Sequence, residues 1–131
     1  MKKFSITLSD RIPCLTKIKI FELCKNGKNL FADFSDEVKD DPNLFSDYAG
    51  AMRILQDVAN LMRKPSTQFK PLNIKGVKYK VYEVKRNRIR IYLFHQEKTG
   101  HIVVTGGFKN EQDDDINQLK NILKNYYDEQ Q

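Results

Sequence analysis

Four of the ten residues in KRNRIRIYLF, Lys85 to Phe94, are cations, and the stretch alternates like a β-strand. Successive side chains on a strand point to opposite faces. Ile89, Ile91, Leu93 and His95 therefore share one side, the natural core face, and Arg88, Arg90, Tyr92 and Phe94 share the other. Arg88 and Arg90 would stand roughly 7 Å apart, a span that brackets one phosphate and its neighbour. Guanidinium groups suit that task, because a planar fork meets phosphate oxygens two at a time and keeps its charge. Aromatic rings beside cations offer stacking surfaces to unpaired bases. Lys85 and Arg86 at the preceding turn, Lys78 and Lys80 on the preceding strand, and Lys109 after the following strand enlarge the cationic set. The alternative is a solvated face whose Tyr92 and Phe94 are covered by the terminal helix.

Other candidate chemistry is weaker. His95 falls with the isoleucines and is expected to be partly buried, while His101 opens a strand near a turn and is expected at the surface. The two histidines, with no Cys or Asp/Glu pattern around them, form no metal-ligand motif. Asp113, Asp114 and Asp115 read as the charged start of a helix. TGGF (105–108) lacks the lysine and spacing of a phosphate loop, so Gly106 and Gly107 read as a bulge or a close contact. No nucleophile–base arrangement is recognisable, and no cofactor is implied.

The elements that must position these residues follow from periodicity. KFSITL (3–8) and TKIKIFEL (16–23) read as strands, with Asn26-Gly27 as a turn dipeptide. Residues 29–40 have helical spacing at Leu30, Phe31, Phe34 and Val38. Residues 40–64 form the clearest helix: Asp41 can cap it, Pro42 suits its first turn, Pro65 ends it, and Leu44, Tyr48, Met52, Leu55, Ala59 and Met62 line one side. Residues 66–76 read as a connector. Strands at about 77–84, 88–95 and 101–105, joined by short turns, make an antiparallel meander. A helix over 113–130 closes the chain, with Ile116, Leu119, Ile122, Leu123 and Tyr126 on its apolar face. Helices followed by antiparallel strands imply an α+β fold, an antiparallel sheet with the helices on one face.

Bulk properties fit one domain over the 131 residues: a strand extension at 1–28, a helical region at 29–64, the meander at 77–108 and the terminal helix. The chain is 40% hydrophobic and 31% charged, which excludes disorder as the default. Its net charge of +6 favours polyanions or an acidic protein as partner, and the charge is segregated. Residues 74–109 hold nine cations against two acids, and residues 31–60 two against seven. Cys14 and Cys24 read as reduced thiols, the start lacks an apolar signal core, and no apolar run is long enough for a membrane span. A cytoplasmic location without membrane association is expected.

YKVYEVKRNRIRIYLFHQEKTGHIVVTGGFKNEQ (79–112), followed by a helix, resembles the C-terminal half of RelE/ParE-superfamily toxins, in particular the HigB-like branch. YEVK (82–85), RIRIYLF (88–94), HIVVTGGF (101–108) and KNE (109–111) carry the resemblance, which extends over about residues 30–128. It implies a RelE-like fold and the toxin of a type II toxin–antitoxin pair, a metal-independent endoribonuclease that cuts mRNA in the ribosome. It also implies a cognate antitoxin, a small helix-turn-helix protein. Arg90 matches the family's strand arginine. Lys85 matches the cation of its Glu-Leu-Arg-like element, with Arg86 beside it, and Lys109 the first cation after the third strand. The resemblance thus assigns catalysis to Arg90, Lys85 and Lys109, with Tyr92 as a local substitute for the missing base, and RNA binding to Arg86, Arg88, Lys78 and Lys80. Departures stand at Asn110, where the family has a second cation, at Glu83, where some members have a lysine, and at Ile116, where others have a tyrosine. ParE-like chains share the scaffold and act on a protein target without a nuclease site, and a plain binding module is a further alternative.

Overall fold

The computed structural model describes residues 2–12 and 15–131; Cys14 lies outside them. The elements run β1 (Phe4–Leu8), β2 (Ile20–Lys25), α1 (Leu30–Val38), α2 (Pro42–Ala59), β3 (Phe69–Leu72), β4 (Lys80–Arg86), β5 (Ile89–Gln96), β6 (Gly100–Phe108), a 3-10 turn at Lys109–Glu111 and α3 (Gln112–Gln130). The fold is α+β. Six strands form one sheet in the order β1-β2-β6-β5-β4-β3. The meander is antiparallel, but β2 runs parallel to β6, so the sheet is mixed rather than purely antiparallel. The N-terminal strands are thus part of this sheet.

Local chemistry sets the helix ends. Asn29 caps α1 by accepting from the Ala32 N–H, and Asp41 caps α2 by accepting from the N–H groups of Asn43 and Leu44, with Pro42 in the first turn. α2 stops at Ala59, short of the expected residue 64. Leu61 takes a left-handed φ of 65°, Leu61 N–H returns to the Val58 carbonyl and Met62 N–H to that of Asp57. That paired closure ends a helix, here with leucine where glycine is usual. The Ala59 carbonyl accepts from Ile18 N–H, so the segment before β2 docks on the helix end. This explains why residues 16–19 do not extend β2 and why Met62, expected in the apolar stripe, is exposed.

The helices do not share one face of the sheet. α1 and α2 bury Phe31, Phe34, Tyr48 and Leu55 against Ile89, Ile91 and Leu93. α3 buries Leu119, Leu123 and Tyr126 against Tyr92, Phe94 and Ile102 on the other side. Gly106 and Gly107 mark the division: a Cβ on the first would strike the Phe34 ring of α1, and on the second the Asp115 carboxylate of α3. Both faces of β5 are therefore core, where sequence parity assigned the core to one. Six of the eight β5 residues are buried. The segment read as a connector contains β3, which pairs with β4 from Phe69↔Val84 to Leu72↔Val81.

Candidate functional site

The site builds on the tight turn between β4 and β5, where Asn87 takes a left-handed φ of 51°. Arg90 is the second residue of β5 and is 7% exposed. Its Nη1 donates to the carbonyls of Asn87 and Ile89, both at 2.9 Å. Arg90 therefore braces the turn from inside. The turn is also held by α2: Asn87 Nδ2 donates to Asp47 Oδ1 at 2.8 Å, and Arg88 Nε lies 3.9 Å from Asp47 Oδ2. Arg86 lies across Gly50 of α2, where any larger side chain would displace it.

Lys109 joins this group from the end of β6, whose last residue, Phe108, pairs with Ile89. Its N–H donates to the Arg88 carbonyl at 2.8 Å. Arg88 and Lys109, 21 residues apart in sequence, line one cleft of about 590 Å³ with Leu44, Phe108, Asn110 and Glu111. Both cations are exposed, as is the Glu111 carboxylate. The cleft thus offers two cations, an amide and one carboxylate above an apolar wall. A phosphate flanked by a base or sugar fits such a lining.

Behind the cleft, register lays out two rows across the α3 face. Lys85 and Gly107 flank Arg90, and Glu83 and Thr105 flank Tyr92, with Lys70 beyond Glu83. Glu83 is fully buried and accepts from Gln112 Nε2 of α3 at 2.6 Å, with Lys70 Nζ 3.7 Å from its other oxygen. Tyr92 is fully buried. Arg90 Nε, the Tyr92 hydroxyl, Glu83 Oε1 and Asp115 Oδ2 have no hydrogen-bond partner among the described residues. Buried polar atoms ordinarily find one, and four together are unusual. Burial, then the neighbouring carboxylate of Glu83, raises the Tyr92 phenol above its ordinary value. Burial, reinforced by Glu111 and Asp114, pushes the Asp115 carboxyl up to about 6.

The predicted residues separate into three groups. Arg88 and Lys109 share the cleft, with Lys85 half-buried on the adjoining row and Arg86 exposed at the turn. Arg90 and Tyr92 lie inside, the arginine spent on backbone carbonyls and the tyrosine under α3. Arg90, expected as the phosphate-binding centre, is thus 7% exposed and Tyr92 fully buried, with the terminal helix over the tyrosine as the alternative reading of this face had it. Lys78 and Lys80 are exposed but belong elsewhere, since Lys80 pairs with His95 near the opposite end of β5 and shares its side of the sheet. His101, expected at the surface, is 6% exposed, and burial followed by the neighbouring His95 pushes its imidazole down to about 4. Sequence reading missed Glu111, Asp115 and Gln112 as neighbours of the cations. The signal was the acidic run directly after Lys109, which the helix dipole explained too readily. No group of three or more His, Cys, Asp or Glu among the described residues is placed to hold a metal. No helix among them is long and apolar enough to cross a membrane. Comparison with family models, curated proteins and solved structures finds no match.

Proposed function

We propose that this chain is a metal-independent endoribonuclease, the toxin of a type II toxin–antitoxin pair that cleaves mRNA on the ribosome, and that it holds the scissile phosphate between Arg88 and Lys109. The observation that carries this reading is their convergence on one cleft beside the Glu111 carboxylate. In the reaction, the Glu111 carboxylate takes the proton of the 2′-hydroxyl. The 2′-oxygen then bonds to phosphorus as the bond to the 5′-oxygen breaks. The leaving oxygen takes a proton from Lys109, and the product end is a 2′,3′-cyclic phosphate. Arg88 neutralises the charge that builds on the phosphorane oxygens. Arg90 acts as a positioning residue, because its bonds to Asn87 and Ile89 fix the turn that carries Arg88. The cationic block at 74–109 supplies attraction to RNA, and the acidic helical region offers a basic or mixed antitoxin a separate surface.

A second reading is a non-catalytic RNA-binding module. It is favoured by the enclosure of Arg90 and Tyr92, which leaves the face with fewer reactive groups than the resemblance implies. One experiment separates the two. Inducible expression in bacteria with mapping of mRNA ends is expected to give growth arrest and new cyclic-phosphate ends, both abolished by Arg88→Ala with Lys109→Ala. RNA binding without cleavage would establish the module, and growth arrest with intact mRNA would point to a ParE-like action on a protein.

A further inference from the structure

His95 and His101 are register partners across the β5–β6 hairpin, with ring centroids 5.1 Å apart and planes at 70°. Their Nδ1 atoms face each other at 3.3 Å. That gap is a hydrogen bond when one ring carries its proton on Nδ1; with that proton lost it matches the bite of a chelate, since two nitrogens bound at about 2.05 Å to one tetrahedral ion stand about 3.3 Å apart. We propose that His95 and His101 chelate a divalent transition-metal ion of the zinc, copper or nickel class through their Nδ1 atoms.

Three features support this. Imidazole is the side chain that suits those ions. The far nitrogen of His95, Nε2, lies 4.0 Å from the Glu97 carboxylate. The carboxylate is exposed and beyond hydrogen-bond distance, and it adds negative charge on the open side of the pair, where a cation would enter. The pair is also held in place and reachable. His101 is buried, its N–H donates to the Lys19 carbonyl at 3.0 Å, and its ring lies edge-on to Tyr82. His95 remains 25% exposed, so an ion can enter from its side and complete its shell with water. Lys80, the β4 partner of His95, is exposed, with its charge in water. The site lies seven residues along β5 from Arg88, roughly 20 Å away, and is independent of the proposed nuclease cleft.

The test uses the full chain without a histidine tag. Copper(II) titrated in and followed by electron paramagnetic resonance is expected to bind one ion per chain with coupling to two imidazole nitrogens. Zinc is expected to compete, and to raise the thermal midpoint as its concentration rises. His95→Ala removes a partly exposed ligand; it is expected to cost more than tenfold in affinity and to abolish the zinc-dependent shift. Binding by the His95→Ala chain equal to the parent, coupling to fewer than two nitrogens, ligation by sulfur, or no binding at micromolar protein would each overturn the proposal.

Discussion

The two faces of the sheet are built on different terms. On the α1–α2 face, aromatic and aliphatic side chains interlock, and the buried hydroxyls answer each other: Ser35 and Tyr48 are hydrogen-bonded at 2.6 Å. On the α3 face, the same sheet carries a second apolar cluster but also a polar strip in which Arg90, Tyr92, Glu83 and Asp115 each leave an atom without a hydrogen bond, that of Glu83 facing Lys70 as an ion pair at 3.7 Å. A buried hydroxyl with its partner adds modestly to stability, whereas an unpaired one costs desolvation. The first face is therefore the stability element. The second accepts a cost beside the cleft that holds Arg88 and Lys109.

Substitutions should separate the two. Phe31→Ala, in the fully buried centre of the α1–α2 face, is expected to cost about 3–5 kcal/mol, read as a fall in denaturant midpoint without a change of slope. Arg90→Ala should come next, at about 1.5–3 kcal/mol, because it strips the charged donor from the carbonyls of Asn87 and Ile89. A loss well below that range would mean that the turn holds itself. The tyrosines give a matched pair. Tyr48→Phe removes a satisfied hydroxyl and should cost about 1 kcal/mol, while Tyr92→Phe removes an unsatisfied one and should be neutral or stabilising. Equal losses in urea melts would erase the contrast between the faces.

The smallest effect is electrostatic. The Asp115 carboxyl titrates at about 6 in the folded chain against an ordinary 3.8. Between those values the folded state binds more protons than the unfolded one, so stability falls as pH rises. The contribution is complete below about pH 4 and gone once pH passes about 6. Asp115→Asn should flatten that slope in melts compared with the parent, and parallel curves would show that Asp115 titrates normally.

Much of this was legible from local pattern. The apolar spacing within residues 29–40, 40–64 and 113–130 predicts α1, α2 and α3, the second running past its end at Ala59, and the caps Asn29 and Asp41 are sequence-local because each satisfies N–H groups within three residues. The parity that unites Arg90 with Tyr92 is legible for the same reason: it depends on the alternation of a single strand. β3 was illegible because Phe69–Leu72 contains Lys70 and Pro71, and it is a strand by virtue of β4 beside it.

What the sequence by itself determined was the kind of every element but β3 and the residues that share its sides, since backbone geometry and apolar period act over a few positions. The tertiary structure decided which sides meet. It ran β2 parallel to β6, put α3 opposite α1 and α2, enclosed Arg90 and Tyr92, and joined Arg88 to Lys109 and His95 to His101. Those pairings depend on which distant surfaces bury one another, and the apolar free energy that drives burial is non-directional, so no short stretch of sequence records it.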